Sequence, residues 1–182
     1  MGSVELKAAL LYNIAVTYVK LGKFDLAISL LNNSIKLAKE INDIQGQATG
    51  LHQLGLAYEQ KGNFGNALKF YSKSRNFSNQ IGYLKGQADT LHQMANIYVN
   101  QRKISYALVT YKKAVPIQDQ IQDMRGEAIT LASLGQMLVY ELGDYEQGLD
   151  YLQQSLSILQ HLQSCEAHTV RQIIFSIQNS NI

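Results

Sequence analysis

Three short runs, Gly46-Gln47-Ala48, Gly86-Gln87-Ala88 and Gly126-Glu127-Ala128, recur at a constant spacing of 40 residues. A chain that repeats itself at a period of roughly 20 to 50 residues is confined to stacked-repeat architectures, because one such unit cannot bury its own apolar face. The register extends well beyond the three runs. Leu51, Leu91 and Leu131 stand five residues after the glycines, and Leu54, Met94 and Leu134 follow. Small residues come next at Gly55, Ala95 and Gly135, then Tyr58, Tyr98 and, in the last copy, Leu138. Leu11, Ile14, Ala15 and Tyr18 form an earlier copy without the leading glycine, so the chain holds four.

The second half of each copy is equally regular. A turn at Gly22, Gly62, Arg102 and Gly143 precedes Phe24, Phe64, Ile104 and Tyr145, then Ala27, Ala67, Ala107 and Gly148. Leu31, Tyr71, Tyr111 and Leu152 follow, and Ser34, Ser74, Ala114 and Ser155 come three beyond those. Apolar and small positions spaced by three and four mark helices with buried faces. Each copy therefore reads as two antiparallel helices around a tight turn, in an all-α fold with repeats at about 4–42, 44–82, 84–122 and 124–162. Val170, Ile173, Ile174 and Ile177 have the spacing of one more helix over 165–178, which caps the stack, and Ser164 is placed to cap its start. The whole of 4–178 is expected to be one domain. The small residues of the first helices should face those of the second, letting the backbones approach closely. Two irregularities predict local distortion: Pro116 inside the second helix of the third copy, and one extra residue between Tyr140 and Gly143.

Composition removes several classes of function. Lys and Arg number 16 against 14 Asp and Glu, a net charge of +2, with no basic run interleaved with aromatics, which argues against a nucleic-acid or anionic-membrane partner. No apolar stretch approaches the roughly 20 residues needed to span a bilayer. The N-terminus has neither a signal-peptide nor a myristoylation pattern, and Cys165 is the only cysteine, so the cytoplasm is the expected location. His161, Cys165 and His168 would share a face of one continuous helix, but the break expected near 162–164 separates them and no fourth ligand is evident; no metal or cofactor is expected. No nucleophile with a base, carboxylate pair or phosphate-cradling loop accompanies the repeats, so the chain reads as a non-enzyme.

The pattern of Leu, Gly and Tyr on the first helix and Ala then Phe on the second resembles the tetratricopeptide family over residues 8–162. The long period and the Leu in place of Trp resemble its long-helix branch, seen in kinesin light chain, in G-protein adaptors of spindle orientation and in bacterial, including cyanobacterial, signalling proteins. The resemblance implies a right-handed superhelix of four hairpins whose first helices line a concave groove. On that mapping, copy one presents Ala9, Tyr12, Asn13, Val16 and Lys20, and copy two presents Thr49, His52, Gln53, Leu56 and Gln60. Copy three presents Asp89, His92, Gln93, Asn96 and Asn100, and copy four Ile129, Ala132, Ser133, Gln136 and Tyr140. Long-period relatives often use an Asn at the slot held by Asn13, Gln53, Gln93 and Ser133 to bind a peptide backbone. Lys20 is the only cation in this lining, which argues against the clamp with which chaperone-binding relatives hold a C-terminal carboxylate. The implied function is a protein-interaction scaffold that takes a peptide or partner protein in the groove. The alternatives are a regulatory sensor of a peptide or small ligand, or a module that self-assembles through its repeat ends.

Overall fold

The structure, a computed structural model, describes residues 2–179. Its elements run α1 (Gly2–Lys20), α2 (Phe24–Glu40), α3 (Ile44–Gln60), α4 (Phe64–Gln80), α5 (Leu84–Asn100), α6 (Ile104–Gln120) and α7 (Met124–Met137), a π-helix (Leu138–Leu142), then α8 (Tyr145–His161) and α9 (Glu166–Asn179). There is no strand among the described residues, and no helix is long and apolar enough to cross a membrane.

One turn chemistry, used at every joint but the one before α8, sets the helix lengths. The residue two past each helix end lies in the left-handed region: Gly22, Asn42, Gly62, Gly82, Arg102, Gln122 and Gln163. The amide after it then returns to a carbonyl five residues upstream, as in Lys23 N to Tyr18 O at 2.9 Å and Asn63 N to Tyr58 O at 2.8 Å. This closes the orphan carbonyls of the preceding helix. The next helix starts on a side-chain cap where the sequence supplies one. Asp43 accepts from Gly46 N at 2.8 Å, Asn63 from Asn66 N at 3.1 Å, and Asp123 from Gly126 N at 3.2 Å. A β-carbon on Gly46 or Gly126 would collide with the capping carboxylate, which accounts for the glycine of two of the recurring runs.

The extra residue of the fourth copy is absorbed by the π-helix. Asp144 N bonds Leu138 O at 3.0 Å, six residues back, where Lys23, Asn63 and Lys103 reach five residues back to Tyr18, Tyr58 and Tyr98. The joint thus closes on the equivalent carbonyl with one more residue enclosed. At Pro116 the helix α6 runs through without interruption. At Ser164 the hydroxyl donates to the Glu166 carboxylate, and α9 begins at Glu166.

The chain forms two compact units, one up to Ile97 and one from Tyr98. In the first, α1 packs on α2, α2 on α3 and α3 on α4, around Ala15, Val19, Ala27, Leu31, Leu54 and Ala57. Ser34 Oγ donates to Ala8 O at 2.9 Å and Ser74 Oγ to Ala48 O at 2.8 Å, so each second helix is pinned to its own first helix by the same buried bond. Gly55 makes room for the ring of Tyr71, which would stand 2.6 Å from a β-carbon there. In the second unit α7 packs on α6 and α8, and α8 on α9. Val139, Leu152, Leu159, Val170, Ile174 and Ile177 form its core.

Candidate functional site

Within the first unit, a polar contact links α3 to α5. His52 Nδ1 and Thr90 Oγ1 are 3.0 Å apart, and the His52 ring lies tilted over Tyr71 with centroids 5.3 Å apart. Burial pushes the His52 pKa down, with Asp89 opposing the shift, so its imidazole is neutral near pH 7. One copy on, His92 Nε2 faces Asn96 Nδ2 at 3.1 Å, and Asn96 Nδ2 also donates to Gln93 Oε1 at 3.2 Å. Burial lowers His92 to about 4. The two histidines thus hold the same slot in successive copies, each with a polar side chain against its ring.

A cavity of about 150 Å³ opens beside His52, lined by Tyr12 of α1, Ala48, Thr49 and Gln53 of α3, Ser74 and Ser78 of α4, and Tyr83, Gly86 and Asp89 at the start of α5. Tyr12 is hydrogen-bonded to Gln53, and burial raises its phenol pKa against that bond. Asp89 sits toward solvent, where Lys85 Nζ reaches its Oδ1 at 3.1 Å. A second hollow of about 190 Å³ shares Tyr12 and Thr49 and extends along α1 past Glu5, Ala8 and Ala9. The first hollow is of mixed polarity and the second mainly apolar; among the described residues no group of three or more His, Cys, Asp or Glu is placed to hold a metal ion.

Tyr12, Thr49, His52, Gln53 and Asp89 therefore meet around one cavity, and His92, Gln93 and Asn96 form a bonded cluster farther along α5. Asn13, Lys20 and Gln60 are exposed, while Val16 and Leu56 are half-buried. Asn100 is exposed at the end of α5. In the second unit, Ser133 Oγ donates to Ile129 O at 3.0 Å and Gln136 Nε2 to Ala132 O at 3.5 Å, so both turn back on their own helix. Tyr140 projects into solvent from the π-helix. His161 ends α8 and Cys165 precedes α9, with left-handed Gln163 between them.

Ser74, Ser78, Tyr83 and Gly86 join the lining although the first-helix pattern does not point to them. Gly86 and Ser74 follow the repeat, and Tyr83 occupies the slot at which Asp43 and Asp123 cap their helices.

Residues 6–80 match the family model described as tetratricopeptide repeat. No curated protein matches the chain. Among solved structures, BtubC (BKLC) from P. vanneervenii superposes with a TM-score of 0.86 at 20% identity, over 98% of this chain and 74% of that one. The Rap conjugation gene regulator of the plasmid pLS20, solved in complex with a Phr peptide, gives 0.83 at 14% identity over 94% and 47%. The quorum sensor NprR from B. thuringiensis, in its apo form, gives 0.77 at 19% over 95% and 48%. The chain spans about half the length of the latter two, and at these identities the likeness is one of fold.

Proposed function

We propose that this chain, whose residues 6–80 are tetratricopeptide repeats, is a non-catalytic scaffold that holds an extended or helical segment of a partner protein against α1, α3 and α5 of its first unit. The observation that carries the reading is the sequence of hollows and hydrogen-bonding side chains along that face. Tyr12, His52, Gln53, His92, Gln93 and Asn96 present amides, phenol and neutral imidazoles with almost no formal charge. Such groups match a peptide main chain, which offers a donor and an acceptor at nearly every residue. The Rap regulator of similar fold was solved with a peptide bound, which supports the same use here. The net charge of +2 without a basic run speaks for protein rather than nucleic acid as the partner.

The test compares affinity capture from cell lysate by the wild-type chain and by a Gln53→Ala, His92→Ala, Gln93→Ala variant, followed by direct titration of the captured segment as a synthetic peptide. Capture and peptide binding that the triple variant loses, with its fold intact by circular dichroism, support the reading. Equal binding by both proteins refutes this face as the site.

A second reading is a sensor that takes a small ligand in the 150 Å³ cavity and changes shape. Compaction in small-angle scattering on adding ligand would favour the sensor; an unchanged scattering profile on binding would favour the rigid scaffold.

A further inference from the structure

The cavity beside His52 departs from the repeat pattern at more than one point. At the slot where Asp43 and Asp123 cap α3 and α7, the chain carries Tyr83, and the start of α5 forgoes a carboxylate cap for a ring that lines the cavity. At the slot of buried Ala38 it carries Ser78, fully buried, whose hydroxyl has no hydrogen-bond partner among the described residues. Gln53 bonds Tyr12 and leaves its own Oε1 buried and unpartnered. Buried polar groups are nearly always paired, so an orphan hydroxyl and an orphan carbonyl on two residues that line one cavity require an explanation. Local rules are broken in this way most often where function demands it.

We infer that this cavity is a receptor for one uncharged carboxamide, the side chain of an Asn or Gln in the segment held by the scaffold. The inference rests on the scaffold reading for the source of that group and on the cavity alone for its chemistry. Ser78 offers a hydroxyl proton and Gln53 a carbonyl oxygen, and a primary amide returns the complement of each, a carbonyl acceptor and an NH2 donor. Charge excludes the nearest competitors. A carboxylate would find no cation in the lining and would face Asp89. An ammonium or guanidinium would be desolvated beside a carboxylate already engaged by Lys85. The volume also fits, since a cavity of about 150 Å³ accommodates a benzene-sized molecule. Gly86 keeps the wall open, because a β-carbon there would stand 2.8 Å from Ser78 Oγ and 2.5 Å from the Tyr83 ring.

The experiment is an NMR titration of the full chain with three probes: propionamide, its charged isostere propionate, and a capped Ala-Gln-Ala tripeptide. It is read on the backbone amides of Thr49, Gln53, Gly86 and Asp89. Propionamide and the tripeptide should shift these resonances at a common site, with the tripeptide tighter, and propionate should not. Ser78→Ala should weaken propionamide by about tenfold, the scale of one lost hydrogen bond, while its melting temperature stays level or rises, because the substitution removes an unpaired buried hydroxyl. Tighter binding by the tripeptide assigns the amide to a peptide side chain; equal affinity assigns it to a free small amide and overturns the peptide source. Absence of shifts with both amides, equal response to propionate, or unchanged binding in Ser78→Ala overturns the carboxamide assignment. Failure here leaves the capture experiment with the Gln53→Ala, His92→Ala, Gln93→Ala variant standing, because that experiment reads partner binding and not which group enters the cavity, so the two ideas fall separately.

Discussion

A β-carbon added to Gly135 of α7 would stand 2.7 Å from the carbonyl oxygen of Gly148 in α8, and one added to Gly148 would stand 2.8 Å from the carbonyl of Gly135. The two helices meet here backbone to backbone, with the buried Leu152 and Val139 side chains closing in beside the contact. Gly135→Ala is therefore expected to push α7 and α8 apart, with a loss of about 1 to 3 kcal/mol as in other overpacked cores. Gly65→Ala provides the contrast. Its β-carbon would meet nothing nearer than 3.9 Å, so the better helix former should stabilise by about 0.5 to 1 kcal/mol. Urea denaturation of both variants checks the pair.

Ser34 and Ser155 occupy the same slot in different copies and should respond oppositely to alanine. Ser34 Oγ donates to Ala8 O, and losing that bond should cost about 1 kcal/mol. Ser155 is fully buried with no partner for its hydroxyl among the described residues, and Ser155→Ala should be neutral or slightly stabilising. Thermal unfolding distinguishes the two.

Acid should weaken the first unit through its histidines. His92 is lowered to about 4 by burial and His52 is lowered for the same reason, whereas an unfolded histidine titrates near 6.5. The unfolded chain then binds more protons between those values, so stability is full above about pH 6.5 and falls as the pH drops toward 4. For His92 alone the upper bound is about 3 kcal/mol. Glu59, raised by burial, works in the opposite direction. Comparing the wild type with His92→Gln across this range isolates the histidine, and the variant should show the flatter curve.

Deleting Leu142, an exposed residue of the π-helix, restores the spacing of the other copies and should convert residues 138–141 to α-helix with a change in stability within about 1 kcal/mol. Deleting Leu108 from the middle of α6 rotates every later side chain of that helix by about 100° and should unfold the second unit. Circular dichroism and hydrogen exchange at the α8 amides report both outcomes.

The hairpins were legible in the sequence because their determinants are local. A left-handed residue, a capping Asp or Asn and a spacing of three and four all lie within a few positions of the turn or helix they control. The extra residue before Gly143 was visible as a break in register, but its accommodation as a π-helix depends on Leu138 and Val139 remaining buried against α8, a tertiary condition. Of the cavity lining, Tyr12, Thr49, His52, Gln53 and Asp89 stand at positions the sequence pattern had singled out, because first-helix positions follow the repeat. Ser78 and Tyr83 do not, since one lies on a second helix and the other in a joint, and only the packing of α4 on the start of α5 brings them to Gln53. Ser133 and Gln136 carried the right residue types at the right slots, yet their side chains bond to their own backbone, a choice of rotamer that spacing does not encode.

Each joint closes on carbonyls of the helix it ends, so its geometry is written into about half a dozen consecutive residues and owes nothing to the next hairpin. A gene for such a chain can gain or lose a hairpin by recombination at any joint without leaving a frayed helix end. The number of copies, more than the residues within them, is then the property that inheritance can change most freely.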